Sequence, residues 1–282
     1  MQITEYKALF NRILQSGLED KGNIKDVHDL LSAFKDEHGL ADKENRDFAM
    51  KISKYAHQMA RYMAGQTGSA DFEDLYWRLL LFEAPWGFES YLLYLEKKRA
   101  EQAKFYEPKM EQLNKHGLIQ AMQDLEDDKL KILSISMPPG TQKTTLEKFF
   151  TSWVIGKHID DYNLFYSHSG DITRMFYDGV LDITTNDTEY TWHEIFPHAK
   201  LKSTDAKREQ INFNSYKPFP NLQCSSVGAK NAGKVRANRY LFCDDLIGGI
   251  EEALSKTRLD KLWNIYSVDK VIIKHIKISD KK

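Results

Sequence analysis

The stretch Ile132-Leu-Ser-Ile-Ser-Met-Pro-Pro-Gly-Thr-Gln-Lys-Thr-Thr145 constrains this chain more than any other. A short apolar run rich in β-branched residues meets Pro138, Pro139 and Gly140. Lys143 and Thr144 then open a pattern of helical spacing from Leu146 to Val154. Strand, loop, Lys-Thr, helix is the layout of a phosphate-binding P-loop. In such a loop the backbone N–H groups and the helix N-terminus cradle phosphate. Gly140, Thr141, Gln142 and Thr145 are the candidate cradle, Lys143 the group that reaches the β- and γ-phosphates, and Thr144 the hydroxyl that binds Mg²⁺. The motif G-x-x-x-x-G-K-[ST] would place glycine at 137 and 142, where this chain has Met137 and Gln142. The second departure matters more, because the residue before the lysine commonly needs a backbone shape that glycine adopts at least cost. An ordinary strand–turn–helix connection that carries a lysine by chance is the competing reading.

A second segment bears on that choice. Arg239-Tyr-Leu-Phe-Cys-Asp-Asp245 reads as another apolar strand, ending in two adjacent carboxylates. An ATPase of this kind needs an acid at a strand end to hold Mg²⁺ through water and a neighbour to polarise the attacking water. Asp244 suits the metal role and Asp245 the catalytic one. A strand capped by acidic turn residues remains the plainer alternative.

Charge and cysteine content narrow the partners. Lys+Arg 40 against Asp+Glu 41 gives a formal net charge of −1, so no global basic field points to nucleic acid, though local patches are compatible with it. Cys224 and Cys243 offer neither zinc spacing nor a disulfide framework, which favours a reduced cytoplasmic setting. No apolar run approaches the ~18 residues of a membrane span, and the N-terminus lacks the character of a signal peptide.

Residues 1 to 100 read as a helical region: Tyr6, Leu9, Phe10 and Ile13 recur at helical spacing, as do Val27, Leu30, Leu31 and Phe34, and Phe48, Ile52, Tyr55, Met59 and Tyr62. Asp71 to Phe82 predicts a further helix, and Lys109 to Glu126 another. From there strands and helices alternate: strand 132–136, helix 144–156, strand 163–166, helix 171–182, strands 210–213, 222–225 and 240–243, then helix 251–266. Such alternation predicts a mostly parallel sheet with helices on both faces.

Several short motifs occur in one order along this region. They are Phe-Tyr-Glu-Pro at 105–108, Ser-Ile-Ser-Met-Pro-Pro at 134–139, Phe-Phe-Thr-Ser-Trp at 149–153 and Tyr-Ser-His-Ser at 166–169. Trp-His-Glu-Ile-Phe-Pro at 192–197, Leu-Phe-Cys-Asp-Asp-Leu-Ile at 241–247, and Glu-Glu-Ala-Leu-Ser with Thr-Arg-Leu at 251–259 follow. The series resembles the ATPase half of tailed-phage large terminase subunits, over about 100 to 268. The resemblance implies an α/β P-loop NTPase of the ASCE type, a three-layer sandwich with a mostly parallel sheet, preceded by the helical N-terminal region. It implies ATP and Mg²⁺ as cofactors and double-stranded DNA, the portal protein and the terminase small subunit as partners. The setting would be the host cytoplasm, with no membrane, in a homo-oligomeric ring that packages DNA into procapsids. By position, Lys143 and Thr144 correspond to the P-loop pair and Asp244 to the Walker B acid, with Asp245, or Glu251 less directly, orienting water. Phe105 and Tyr106 stand where the family's upstream segment meets adenine. The basic, glycine-dotted segment 225–239, with Lys230, Lys234, Arg236 and Arg239, is a candidate for DNA phosphates or a neighbour's ATP; a solvated loop is the plainer reading. Arg174 and Arg258 are further arginine-finger candidates, and His168 and Ser169 stand where a γ-phosphate sensor or a helix cap is expected.

Two departures shape the expected function. Gln142 places a Cβ where the loop wants none, so the expectation is either ATP hydrolysis coupled to DNA packaging or a catalytically silent nucleotide- or DNA-binding remnant that acts in assembly. Residues 269–282 read as a divergent basic tail, and no nuclease segment follows, so nuclease activity is not expected of this chain.

Overall fold

The computed structural model describes residues 1–138, 140–215, 217–227, 237–247, 254–257 and 259–260. The expected helix 251–266, the basic loop residues Lys230, Lys234 and Arg236, the candidates Glu251 and Arg258, and the tail 269–282 lie wholly or mostly outside the described residues. The chain divides into two compact units, Met1–Gln123 and a second beginning at Asp124. That division falls later than the change in composition near residue 100.

The first unit is helical: α1 Ile3–Ser16, α2 Lys21–His38, α3 Lys43–Thr67, α4 Ala70–Glu83 and α5 Phe88–Leu95. Local chemistry sets its boundaries. The Asp20 carboxylate caps α2 by accepting from the Gly22 and Asn23 N–H groups, and Asp42 caps α3 through Asn45. Gly68, left-handed at φ 64°, ends α3. Aromatic edges fill the core between the first helices, with Tyr6 on Phe34 at 5.2 Å and Phe10 on Phe48 at 5.7 Å between ring centroids. One buried acid ties three helices. Glu83 of α4 accepts from Ser53 and His57 of α3 at 2.6 and 2.8 Å and from Ser90 of α5 at 2.6 Å. A buried carboxylate so satisfied holds the helices in one register, whereas an unpaired one would be costly. The expected single helix from Lys109 to Glu126 is two, α6 Met110–Lys115 and α7 Leu118–Glu126, broken at Gly117 with φ 67°.

The second unit carries α8 Lys143–Lys157, β1 Asn163–Ser167, α9 Gly170–Thr185, α10 Trp192–Ile195, β2 Leu201–Asp205, β3 Gln210–Phe213, β4 Leu222–Ser226 and β5 Leu241–Cys243. Its five strands lie in the order β2-β3-β4-β1-β5. β1 runs parallel to β4 and to β5, with Phe165 opposite Cys224 on one side and Phe242 on the other. The β2–β3 and β3–β4 pairs are antiparallel.

This arrangement corrects the expected fold, a three-layer P-loop NTPase sandwich with a mostly parallel sheet. The sheet is small and mixed, half its pairings antiparallel. Its helices, among the described residues of this unit, cover one face: Phe176 of α9 stacks on Phe165 at 3.7 Å, and Phe150 of α8 meets Phe242 at 6.3 Å. The opposite face, formed by Leu164, Tyr166 and Leu241, packs on the loop residues Ala237 and Leu246. The strand expected at 132–136 is also absent. Residues 132–138 take no regular structure, and Ile132 is 83% exposed. A β-branched run is only half of a strand; this one pairs with none of the five strands, and propensity without a pairing partner does not make a strand. Among the described residues, no helix is long and apolar enough to cross a membrane.

Candidate functional site

The site forms where the carboxyl ends of β1 and β5 meet the first turn of α8. Parallel strands open a crevice beyond their carboxyl ends, the usual place for ligands on such sheets. β5 is aligned there by its neighbour: Asp244 N–H donates to the Tyr166 carbonyl at 3.0 Å. His168, just past β1, donates its backbone N–H to the Asp245 carbonyl at 3.0 Å and its ring Nδ1–H to the same oxygen at 2.6 Å. A carbonyl only accepts, so Nδ1 carries the proton. These bonds fix the backbone of both acids.

Asp244 is the buried member, with its side chain 1% exposed. Thr144 Oγ1, a hundred residues away in sequence, donates to Asp244 Oδ2 at 2.7 Å. Lys143 Nζ lies 2.5 Å from Asp244 Oδ1 and 3.9 Å from Asp245 Oδ1. The bond to Asp244 raises the lysine's pKa. The structure thus brings Lys143, Thr144 and Asp244 into direct contact. Asp245 is at the rim, its side chain 62% exposed and its backbone left-handed at φ 44°.

The loop before α8 bends by named interactions. The Thr141 N–H and hydroxyl both donate to the Pro138 carbonyl, at 3.4 and 2.7 Å, and Gly140 takes φ 80°. Gln142 then adopts φ 62° and ψ 38°, the left-handed conformation that glycine takes freely. The residue that departs from the sequence motif therefore adopts the backbone shape the motif calls for. The Gln142 carbonyl accepts from Thr145 and Leu146 at 3.0 and 3.2 Å, which starts the helix directly behind Lys143 and Thr144.

Sequence reasoning missed Glu147. It lies one turn beyond Lys143 and Thr144, half-buried, and its pKa is pushed up to about 8, first by burial and then by the charge of Asp244. Its signal was available: positions 143, 144 and 147 share one helix face.

The other candidates have partners of their own. Phe105 and Tyr106 are buried within the helical unit. Their N–H groups donate to Glu96, and the Tyr106 hydroxyl donates to Glu89 at 2.9 Å. Ser169 caps α9 by accepting from Ile172 N–H at 3.3 Å. Arg174 is held by Asp178 and the Ala206 carbonyl. Arg239, at the opposite end of β5 from Asp244, joins Lys157, His158 and Tyr240 around the buried Glu126 carboxylate.

The donor set fits Mg²⁺. A hydroxyl and a carboxylate side by side are hard oxygen ligands, and Mg²⁺ is held by one or two protein oxygens together with phosphates and water. Among the described residues no group of three or more His, Cys, Asp or Glu side chains could hold a metal by itself. Comparison with protein families, with curated proteins and with solved structures finds nothing that this chain matches.

Proposed function

We propose that Lys143, Thr144 and Asp244 form a site for Mg²⁺ and a nucleoside triphosphate, and that the chain hydrolyses ATP. The observation that carries this reading is the contact of a buried strand-end carboxylate with a Lys-Thr pair at a helix start, across a hundred residues of sequence. Lys143 has a flexible stem and three donors, suited to turn from Asp244 to a phosphate. The Lys143 and Thr144 N–H groups open α8 and carry the positive end of the helix dipole. Bound Mg²⁺, held by Thr144 and through water by Asp244, would neutralise phosphate charge. Asp245, exposed at the rim, would orient water. The resemblance to tailed-phage large terminase subunits extends the proposal: hydrolysis would drive double-stranded DNA into procapsids from a ring at the portal.

A second reading, nucleotide binding without turnover, is favoured by the 62% exposure of Asp245, since a water-orienting acid works best when its position is fixed. Mg²⁺-dependent ATP binding and hydrolysis by the chain, beside Lys143→Ala and Asp245→Asn, tests both. Turnover lost in both variants supports the hydrolase. Binding lost only in Lys143→Ala, with no turnover in any form, supports the silent module. Binding unaffected by Lys143→Ala refutes the site.

A further inference from the structure

α3 carries a second feature, independent of the ATP site. Tyr55 is 50% and Tyr62 58% exposed, and among the described residues these are the aromatic side chains left exposed. Both lie on the same helix, seven residues apart. At a rise of ~1.5 Å per residue that is about two turns, or roughly 10 Å along one face. The exposed residues around them are Lys51, Lys54, Gln58, Arg61 and Gln66. From Phe48 to Ala70 the sequence contains no Asp or Glu, although the whole chain has 41. The one carboxylate paired with this stretch at its surface belongs to another segment: Glu107 bridges Arg61 at 2.8 Å. Lys51 and Lys54 are exposed and form no ion pair among the described residues.

An exposed aromatic is an anomaly where the other described Phe, Tyr and Trp rings are buried or half-buried, and two on one acid-free stripe are a pattern. The combination of cations that follow a phosphate backbone with rings that offer π-faces is the chemistry of single-strand nucleic-acid binding. A membrane surface is less well matched, because no Leu, Ile, Phe or Trp is exposed on this stripe. A paired duplex would engage the lysines but leave the rings without bases to stack on. We propose that the solvent face of α3, centred on Lys51, Lys54, Tyr55 and Tyr62, binds single-stranded nucleic acid, with the tyrosines stacking on unpaired bases and the lysines on phosphates.

The test is fluorescence anisotropy of the nucleotide-free full chain with a labelled single strand of roughly 20 nucleotides, the matching duplex, and phosphatidylserine vesicles. Because no ATP is present, failure of the hydrolase reading leaves this result unaffected. The single strand is expected to bind more tightly than the duplex. Tyr55→Ala with Tyr62→Ala should weaken it at least about tenfold without altering the salt dependence. Tyr55→Phe with Tyr62→Phe keeps the rings and should retain affinity. Lys51→Gln with Lys54→Gln should lower the slope of log affinity against log salt by about 1.4, the value for two single-strand phosphate contacts. All four side chains are exposed, so melting temperatures should not change. The proposal is overturned if the single strand does not bind, if the alanine pair binds like the parent, if the duplex is preferred, or if only the vesicles bind.

Discussion

Replacing Gln142 by glycine separates two accounts of this loop. If the left-handed shape were needed only with nucleotide bound, its strain of ~1–3 kcal/mol would weaken binding by roughly 5- to 150-fold, and glycine would restore that affinity. The structure places the strain differently. Gln142 is held at φ 62° and ψ 38° by bonds within the protein, from the Thr145 and Leu146 N–H groups to its carbonyl. The cost is therefore carried by the free protein and cancels from binding. A non-glycine residue pays about 1–2 kcal/mol for this conformation, while glycine loses about 0.4–1 kcal/mol through a freer unfolded chain. Gln142→Gly should therefore stabilise the protein by about 0.5–1 kcal/mol, a rise of roughly 1–4 °C in the melting temperature of a domain this size. Its affinity for a fluorescent ATP analogue with Mg²⁺ should stay within about threefold, a difference of under ~0.7 kcal/mol. Thermal melts and equilibrium titration of the two proteins measure both quantities. Binding more than about tenfold tighter with an unchanged melting temperature would refute the reasoning, since the strain would then belong to the bound state.

Three further perturbations probe the framework around the site. Glu126 is 1% exposed and accepts from His158 at 2.5 Å, Arg239 at 2.8 Å and Tyr240 at 2.8 Å, with Lys157 at 3.0 Å. Burial acts to raise its pKa, but these partners hold it well below the ordinary carboxylate value of 4.5. Its contribution is thus present above that value and is lost as the pH falls below it; Glu126→Gln should cost about 3 kcal/mol at neutral pH in urea unfolding and flatten the acid limb of the stability curve. Glu147 has the opposite sign: with its pKa raised from 4.5 to about 8, stability should decline as the pH rises through that interval, and Glu147→Gln should remove the decline. Gly156→Ala would drive a Cβ into the Phe196 ring, which packs against Trp192; unfolding should show a loss of about 1–3 kcal/mol, and a loss below about 0.5 kcal/mol would mean that the ring moves freely.

The parts of the fold that could be read from the sequence are those that carry their own pattern. α8, α9, β1, β3 and β4 follow from apolar periodicity, because each buries a face or, like β1, every side chain. The misread parts depend on partners that a local pattern does not contain. Ile132–Ser136 has the composition of a strand but no strand as its partner. Leu201–Asp205 has one, pairing antiparallel with β3, yet its alternation of Lys, Ser, Thr and Asp gives it the look of a loop. Parallel or antiparallel pairing is likewise a property of two segments at once. The sheet was therefore read as mostly parallel when half its pairings are not.

The arrangement around Asp244 follows a different logic from the sheet as a whole. It needs only two parallel strands, β1 and β5, whose register sets the Asp244 N–H on the Tyr166 carbonyl, and one helix whose first turn reaches the same place. The antiparallel β2–β3 portion lies at the far edge, beyond β4, and has no part in it. Lys143, Thr144 and Asp244 could be read as chemistry because hydroxyl, ammonium and carboxylate each have few uses beside a tight loop. Glu147 shares their helix face, but its importance arises from burial beside Asp244, and burial is decided by packing. The contacts of Lys143 and Thr144 with Asp244 also set a condition on any ligand. A phosphate that draws Lys143 away leaves a buried carboxylate beside half-buried Glu147 with less positive charge to offset it. Phosphate alone therefore destabilises the acids it approaches, and a divalent cation arriving with it removes that penalty. Mg²⁺ and nucleotide should consequently bind cooperatively, and above about pH 8, where Glu147 is ionised, Glu147→Gln removes one of the negative charges and should narrow the difference in nucleotide affinity with and without Mg²⁺. An equal Mg²⁺ effect in the parent chain and in Glu147→Gln at that pH would show that this carboxyl takes no part in the coupling.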